Sequence, residues 1–176
     1  SESERRALVE SMIASSFPKG SVMLKEGQAN RDTYFVLSGL VRQYRLIDGE
    51  EVTTAFYTEG EWIISLTGFS ENAIATDYLV CEEDTSVVTG NEKKAQQLFS
   101  EFPRFETISR AVMETVFAEQ HKTMMYHLTA SPEEKYIRLL ETRPDLVQRV
   151  PQYQLASYIG VKPESLSRIR KRMAQK

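Results

Sequence analysis

Six cationic side chains and a single carboxylate lie between Lys162 and Lys176. Residues 1–130 carry 12 Lys and Arg against 20 Asp and Glu, whereas residues 131–176 carry 10 against 5. Ammonium and guanidinium groups concentrated in this way bind polyanions through charge and hydrogen bonds. The whole chain has a net charge of −3. The asymmetry predicts that only its C-terminal part contacts a polyanion. A solvated cationic helix end is the alternative interpretation.

Two short helices are expected to carry these cations. Leu155 and Ile159 lie four positions apart, on one face of a helix, and Gly160 follows where the chain must turn. Pro163 marks the first turn of a second helix, whose apolar positions are Leu166, Ile169 and Met173. Two helices joined through a glycine turn and locked by such positions form a helix-turn-helix. An unrelated helical hairpin is the structural alternative.

The face of the second helix opposite its apolar residues carries groups that match the edges of base pairs. Arg168 can donate two parallel hydrogen bonds to guanine O6 and N7, and Glu164 can accept one from cytosine N4. The predicted base-reading residues are Glu164, Ser165, Ser167 and Arg168. The predicted phosphate contacts, which position a helix without reading sequence, are Lys162, Arg170, Lys171 and Arg172. The segment therefore predicts binding to double-stranded DNA.

A long helix is expected to precede this motif. Residues 104–129 contain neither Gly nor Pro, and about 25 helical residues span about 37 Å. Their apolar residues form two stripes, so the helix must be covered on two sides. We expect the preceding β-rich region to cover one side and a second copy of the helix, in a homodimer, to cover the other; burial within one subunit is the alternative. The residues assigned to the dimer contact are Ile108, Val112, Thr115 and Glu119.

Before residue 91 the sequence alternates short β-branched and aromatic runs with turn residues. Asp48-Gly49 lies between two such runs and predicts a two-residue hairpin, because a type I′ turn needs positive φ at both central positions. Spacing of about ten residues without an intervening helix indicates an antiparallel sandwich or barrel. The runs that predict strands are Ser21–Leu24, Thr33–Leu37, Leu40–Leu46, Glu51–Tyr57, Asp77–Cys81 and Thr85–Val88.

Two further helices are expected after the strands. Residues 91–99 indicate a short one. Ser131-Pro132-Glu133-Glu134 predicts the start of another, because Ser131 can cap it and Glu134 completes a capping box.

Composition and the rarer residues exclude several functional classes. The 176 residues are 41% hydrophobic and 27% charged, as in globular proteins, and no apolar run reaches the roughly 18 residues of a membrane span. The single cysteine, Cys81, forms no internal disulfide and provides too few thiolates for a zinc or iron–sulfur site. His121 and His127 lie about 240° apart around a helix, which disfavours a metal pair. We expect a soluble, cytoplasmic protein without enzymatic activity, cofactor, metal or membrane contact, and we interpret the acidic residues 82–84 as a solvated turn.

The order of a β-rich region, a long helix and a helix-turn-helix resembles the Crp/Fnr family of bacterial transcription regulators. Residues 164–168, Glu-Ser-Leu-Ser-Arg, resemble the Glu-x-x-Ser-Arg pattern of the Fnr-type branch, which implies base contacts by Glu164, Ser167 and Arg168. The resemblance implies an α+β chain. Its parts would be an antiparallel, cyclic-nucleotide-binding-like jelly roll in residues 1–103, a dimerisation helix in residues 104–130 and a winged-helix-like DNA-binding region, with the wing reduced or absent, in residues 131–176.

The same resemblance implies the partners. A symmetric homodimer would bind an inverted repeat whose half-sites lie about 34 Å apart. RNA polymerase would be a further partner, and an unidentified small-molecule effector would act on the β-rich region. The alternative is a ligand-sensing module that regulates a partner protein rather than DNA.

The β-rich region carries only half of the family's phosphate-binding pattern. Gly60-Glu61 matches its opening, and Glu61 has the chemistry to hold a ribose hydroxyl. Ala75 lies at the position of the pattern's arginine and Asp77 at that of its small residue. A cyclic phosphate needs a cation or several N–H donors there, so a methyl group and an added carboxylate predict that cyclic AMP is not the effector. The residues assigned to an effector pocket are Gly60, Glu61 and Thr76; a different ligand, or none, stays open.

Overall fold

The computed structural model describes residues 1–30, 32–64 and 74–175 of the chain. After helix α1 (Glu2–Ser11) the described strands are β1 (Met12–Phe17), β2 (Val22–Leu24), β3 (Asp32–Ser38), β4 (Val41–Ile47), β5 (Glu50–Tyr57), β6 (Trp62–Ile63), β7 (Tyr78–Cys81) and β8 (Thr85–Asn91). The later helices are α2 (Glu92–Glu101), α3 (Arg104–Thr129), α4 (Pro132–Thr142), α5 (Pro144–Arg149), α6 (Gln152–Ile159) and α7 (Pro163–Met173).

Two four-stranded antiparallel sheets form a jelly-roll-like β-sandwich. One sheet has the order β1-β8-β3-β6 and the other the order β2-β7-β4-β5. Strands far apart in the sequence are therefore neighbours: Met12 of β1 lies opposite Gly90 of β8, and Phe17 opposite Thr85. The predicted α+β class, an antiparallel β-region followed by helices, is confirmed, and β1 and β6 add to the six predicted strands.

The hairpin between β4 and β5 forms as the sequence predicts. Asp48 and Gly49 have φ angles of 53° and 83°, the left-handed conformations that a type I′ turn needs. β5 is the outer strand of its sheet, so backbone groups along its free edge need partners other than a strand. This edge lies beside the C-terminal helices, as described below.

The hydrophobic core has two parts. The first lies within the sandwich and includes Val36, Val41, Ile63, Leu79 and Val87. The second joins the sandwich to the C-terminal helices, because Leu40 and Phe56 pack into a cluster with residues of α4 to α7. The helical members of this cluster are Tyr136, Leu139, Leu146, Val150, Leu155, Ala156, Ile159, Leu166 and Ile169.

The acidic run at residues 82–84 forms a turn, as expected, but its interpretation as a solvated turn is wrong for two of its side chains. Glu82 and Glu83 are 15% and 34% exposed, and both accept hydrogen bonds from arginines. The turn packs closely on Gly39, whose φ is 95°; a Cβ there would lie 2.5 Å from the carbonyl oxygen of Asp84. The run is therefore part of the packed structure rather than a free loop.

The expected helices are present after the strands. α4 begins at the predicted capping box, in which the Glu134 amide donates to Ser131 Oγ and the Ser131 amide donates to the Glu134 carboxylate. Within the described residues 92–175 every regular element is a helix. The division of the chain at residues 103 and 130 stays a prediction.

Candidate functional site

The last helix presents two chemically different faces. Leu166 and Ile169 of α7 are 1% and 7% exposed and pack into the second core. On the opposite side Glu164, Ser167 and Arg168 are exposed, while Ser165 is half-buried. Because the apolar face anchors the helix, its polar face is held outward in a fixed orientation.

The turn before α7 depends on Gly160. This residue adopts a left-handed conformation, with φ 80° and ψ 35°, and the following Val161 amide donates to the Ala156 carbonyl oxygen at 2.9 Å. Glycine takes such a conformation without the steric cost that a side chain adds. Ala156 is fully buried where the two helices meet. The predicted pair of short helices is thus present as α6 and α7.

Among the described residues, Arg168 is held by neutral oxygens of its own helix. Its Nε lies 3.4 Å from the Glu164 carbonyl oxygen, and its Nη2 lies 3.3 Å from Ser165 Oγ. Both bonds are long, so turning the guanidinium toward an external acceptor costs little. The side chain is well placed to donate to a ligand in front of α7.

The predicted phosphate-binding cations fall into two groups. Lys162, Arg170 and Lys171 are exposed, and Lys162 occupies the N-cap position of α7 without a side-chain capping bond. Arg172 is exposed as well, but its Nη2 donates to the carboxylate of Glu133 in α4 at 2.5 Å. A phosphate would therefore compete with a carboxylate for Arg172.

Helix α3 is exposed along most of its length, and His127 near its C-terminal end packs against α6. None of its 26 residues is buried, and Ile108, Phe117 and Leu128 are 45%, 52% and 72% exposed. Of the other residues assigned to a dimer contact, Val112 is half-buried, while Thr115 and Glu119 are exposed. Exposed apolar side chains on this scale are typical of an interaction surface.

A small cavity lies between the sheets. Its volume is about 30 Å³, and its walls include Tyr34, Gln43, Ala75, Thr76 and Asp77. The predicted pocket residue Thr76 lines it, whereas Gly60 and Glu61 do not. Ligand pockets have volumes of about 300–1,000 Å³, so this space suits a group the size of water. Residues 65–73, which lie between Glu61 and Ala75 of the phosphate-binding pattern, are outside the described residues.

The carboxylate at the small-residue position of that pattern, Asp77, is already neutralised. Arg45 of β4 donates to Asp77 Oδ1 at 2.7 Å and to Thr76 Oγ1 at 2.8 Å. Ala75 is 3% exposed and provides no charge toward a phosphate. The cavity wall therefore lacks a free cation at these positions.

Glu61 faces the C-terminal helices. The guanidinium of Arg143, between α4 and α5, donates to both of its oxygens at 3.2 Å. The Thr58 amide donates to Glu61 Oε2 at 2.6 Å, and Arg143 also donates to Thr58 Oγ1 at 2.9 Å. Both oxygens are thus occupied by this chain's own donors.

Arg149, at the end of α5, joins two more carboxylates. Its four hydrogen bonds to Glu59 and Glu83 have lengths of 2.7 to 3.0 Å. The Arg149 guanidinium lowers the pKa of Glu59 to about 2, and it also lowers the pKa of Glu83. Both carboxylates are charged at neutral pH.

A third contact runs through α6. Gln154, only 3% exposed, donates from Nε2 to Glu82 Oε1 at 2.9 Å. The same oxygen accepts from Arg42 Nε at 2.6 Å, and Arg42 also donates to Glu51 at 2.6 Å. We call the four β-sandwich side chains that meet the helices the acidic rim: Glu59, Glu61, Glu82 and Glu83. Sequence reasoning missed this rim and the roles of Arg143, Arg149 and Gln154.

The part of the chain that the structure describes contains neither a cluster of metal ligands nor a membrane-spanning helix. There, no three His, Cys, Asp or Glu side chains come together in a way that could hold a metal ion. No helix among these residues is long and apolar enough to cross a membrane. His127 packs edge-on against Tyr158 with ring centroids 4.7 Å apart, and His121 is exposed.

Comparison with known proteins gives one family match. Residues 14–102, half of the chain, match the family model of the cyclic nucleotide-binding domain. No curated protein sequence matches the chain significantly.

Solved structures of Crp/Fnr-family regulators share the fold. The c-di-GMP responsive global regulator CLP of Xanthomonas campestris is 17% identical, with a TM-score of 0.76 over 99% of this chain and 92% of that one. FixK2 of Bradyrhizobium japonicum is 19% identical, with a TM-score of 0.76 over 93% and 85%. The catabolite activator protein of Thermus thermophilus is 19% identical, with a TM-score of 0.54 over 99% and 84%. With this fold and the domain matched in its sequence, the chain belongs to the cyclic nucleotide-binding domain family.

Proposed function

We propose that the chain is a homodimeric, sequence-specific DNA-binding transcription regulator of the Crp/Fnr type. The observation that carries this proposal is the division of α7 into a buried apolar face and an exposed polar one. With α6 and the glycine turn, α7 forms a helix-turn-helix in which it acts as the recognition helix. The fold of the solved Crp/Fnr regulators supports the same function.

The exposed residues at α7 fall into two groups, one that contacts bases and one that contacts phosphates. Arg168 donates to guanine and Glu164 accepts from cytosine, with Ser165 and Ser167 as further base contacts. The exposed cations Lys162, Arg170 and Lys171, together with Arg172, contact phosphates and position the helix. A good bidentate pair contributes about 1–3 kcal/mol of base discrimination, so Arg168 is the largest single determinant of the site.

The largely exposed helix α3 supports a homodimer. A second copy of α3 would cover the exposed apolar residues, of which Ile108 belongs to the assigned contact. The two recognition helices would then read an inverted repeat with half-sites about one helical turn, or about 34 Å, apart. RNA polymerase is a further proposed partner.

The β-sandwich is proposed to act as a sensor that does not bind cyclic AMP. A small-molecule effector would shift the population of dimers between arrangements that match the groove spacing and arrangements that do not. The cavity of about 30 Å³ and the paired Asp77 carboxylate support the exclusion of a cyclic nucleotide phosphate from that wall. If no effector exists, the amount of protein alone sets occupancy of the DNA.

The test is the selection of bound sites from random duplex DNA at low salt. We expect the wild type to enrich an inverted repeat and to lose affinity steeply as salt rises, since phosphate contacts release counterions. Glu164→Ala should relax the preference at one base pair of each half-site and leave the rest unchanged. Glu141→Ala removes the same charge from an exposed position on α4 and serves as the control.

Two results would contradict the proposal. One is a protein that stays monomeric at working concentrations and binds no duplex at low ionic strength. The other is an unchanged site preference in Glu164→Ala. That result would show that Glu164 does not contact bases. Absence of DNA binding would favour the alternative, a ligand-sensing module that regulates a partner protein.

A further inference from the structure

We propose that the acidic rim is a docking site that holds residues 131–175 in one position against the β-sandwich and thereby fixes the distance between the two recognition helices of the dimer. The docking is a property of the single chain. The consequence for the helix distance rests on the proposed function.

The rim holds the helices at three places. Arg143 binds Glu61 where α4 meets α5, and Arg149 binds Glu59 and Glu83 at the end of α5. Gln154 of α6 binds Glu82, the third attachment. A body attached at one point can rotate, whereas attachments on three successive elements restrict its rotation. The arginine contacts are charge-assisted and bidentate, so they favour one orientation of the two groups.

The free edge of β5 provides a further directional contact. The Thr53 amide donates to Ser157 Oγ of α6 at 2.9 Å, and the same hydroxyl donates to the Glu51 carbonyl oxygen at 3.2 Å. One side chain thus satisfies a donor and an acceptor of an outer strand. Sliding α6 along the strand by one residue would break both bonds, so the contact fixes the register of α6.

Apolar side chains also contribute to the contact between the β-sandwich and the C-terminal helices, which we call the seam. Phe56 of β5 meets the ring of Tyr158 in α6 at 5.4 Å between centroids, and Tyr158 in turn meets His127 of α3. Tyr158 of α6 therefore contacts both the sandwich and the long helix. Movement of the helices from the rim would disturb the contact with α3, through which the two protomers are proposed to associate.

The docked position leaves the reading surface open. Glu164, Ser167 and Arg168 stay exposed while α6 lies against β5. The rim therefore positions α7 rather than covering it. Arg143, Arg149 and Gln154 are positioning residues, distinct from the exposed residues of α7 that contact DNA.

The first experiment measures docking without DNA. The variant Glu59→Gln/Glu83→Gln keeps both side-chain lengths and an acceptor for the Gly39 amide, which bonds to Glu59, but removes the charges that hold Arg149. Hydrogen exchange of the Thr53 amide, followed by NMR at neutral pH, reports the opening of its bond to Ser157. We expect exchange to become at least about fivefold faster, the effect of losing a partly buried charge pair.

Two controls separate this effect from general destabilisation. The Ala75 amide, bonded to the Gln28 carbonyl oxygen within the sandwich, should exchange at an unchanged rate. Glu10→Gln/Glu50→Gln makes the same change of charge at two exposed positions and should leave Thr53 unaffected. Equal Thr53 exchange in the rim variant and the wild type would overturn the docking proposal.

The second experiment measures the consequence for DNA. The dissociation constant is compared for the selected inverted repeat and for the same repeat with two base pairs added between its half-sites. We expect wild type to discriminate strongly and the rim variant to show a ratio of the two constants at least about fivefold smaller. Loss of two negative charges by itself strengthens binding to both sites equally, so the ratio isolates positioning from charge.

The outcomes distinguish the two proposals. An unchanged ratio with faster Thr53 exchange would overturn the claim that docking sets the helix distance. If wild type binds no duplex, the proposed function and the helix-distance claim both fall, while Thr53 exchange still decides whether the rim holds the helices.

Discussion

The C-terminal region uses its arginines in two different ways. Arg143 and Arg149 face carboxylates of the β-sandwich at 2.7 to 3.2 Å, whereas Arg168 donates to neutral oxygens of its own helix at 3.3 and 3.4 Å. The net charge of residues 131–176 thus overstates their free positive potential, because some cations are neutralised within the molecule. The surface proposed for DNA is distinguished, within the part of the chain that the structure describes, by the absence of such neutralisation around Arg168, rather than by the number of cations alone.

The largest effect is expected when an apolar side chain is removed from the seam between the β-sandwich and the C-terminal helices. Phe56 is 5% exposed and joins the β-sandwich to the second core. We expect Phe56→Ala to lower the free energy of unfolding by about 3–5 kcal/mol, since it deletes a buried aromatic ring and leaves a cavity.

Urea unfolding followed by circular dichroism measures this loss. Leu37→Ala, at a position that is 49% exposed, is the control and should change stability little. A loss in Phe56→Ala no larger than that of the control would show that the sandwich and the helices do not depend on this shared packing.

The exposed arginine gives the next effect in size. We expect Arg168→Ala to weaken binding to the selected DNA by about 1–3 kcal/mol and to relax the preference for guanine at one position, without changing the urea midpoint. Arg170→Ala should instead weaken all duplexes to a similar extent and reduce the salt slope by about one. Titration of labelled duplexes at several salt concentrations tests both variants, and equal behaviour of the two would contradict the division between reading and positioning.

Much of the fold could be predicted because its signals are local. Asp48-Gly49 determines a turn through its own backbone preference, and Ser131 with Glu134 caps a helix through bonds within four residues. Helix α1 also begins at a local signal, the capping box of Ser1 and Glu4.

The missed strands lack such signals. β1 reads Met-Ile-Ala-Ser-Ser-Phe, with small residues that have little strand preference, and it is a strand because β8 lies beside it along six residue pairs. β6 comprises only Trp62 and Ile63, paired with Phe35 and Tyr34 of β3. In both cases the structure depends on a partner distant in sequence.

The acidic rim is the part of the candidate site that the sequence did not predict. Arg149 meets carboxylates 66 and 90 positions away, and Arg143 meets one 82 positions away. Nothing local distinguishes these arginines from Arg168, because each is one cation in a basic segment. The one sequence feature that points to the rim is the clustering of acidic residues at 59–61 and 82–84 in an otherwise β-rich region.

A pH titration sharpens the comparison at the junction with α3. Burial lowers the pKa of His127, and the cations Lys135 and Arg138 lower it further. The folded chain therefore binds fewer protons than the unfolded one near the ordinary His pKa of about 6.5. The stability that comes from neutral His127 is fully present above that value and is lost as the pH falls through it.

We expect the urea midpoint to fall between pH 7.5 and pH 5.5, and His127→Gln to remove part of that fall. His121→Gln, at an exposed position, should keep it. A pH dependence that is the same in all three proteins would exclude His127 as its source.

The smallest expected effect concerns Glu59, which is 46% exposed. Hydrogen bonds from Arg149 hold the pKa of Glu59 at about 2, below its ordinary value of 4.5. Its contribution to stability is fully present above about pH 4.5 and is lost as the pH falls toward 2, and solvent screening keeps this contribution small.

Carbon NMR of the Glu59 carboxyl group follows the titration directly. Arg149→Gln should move the midpoint upward toward the ordinary value, because the lowering depends on the guanidinium. Arg168→Ala removes an equal charge from α7 and should leave the midpoint of Glu59 where it is. If both substitutions raised the midpoint equally, the two arginines would act on Glu59 through the net charge of the region, and the distinction between the seam and the reading surface would disappear.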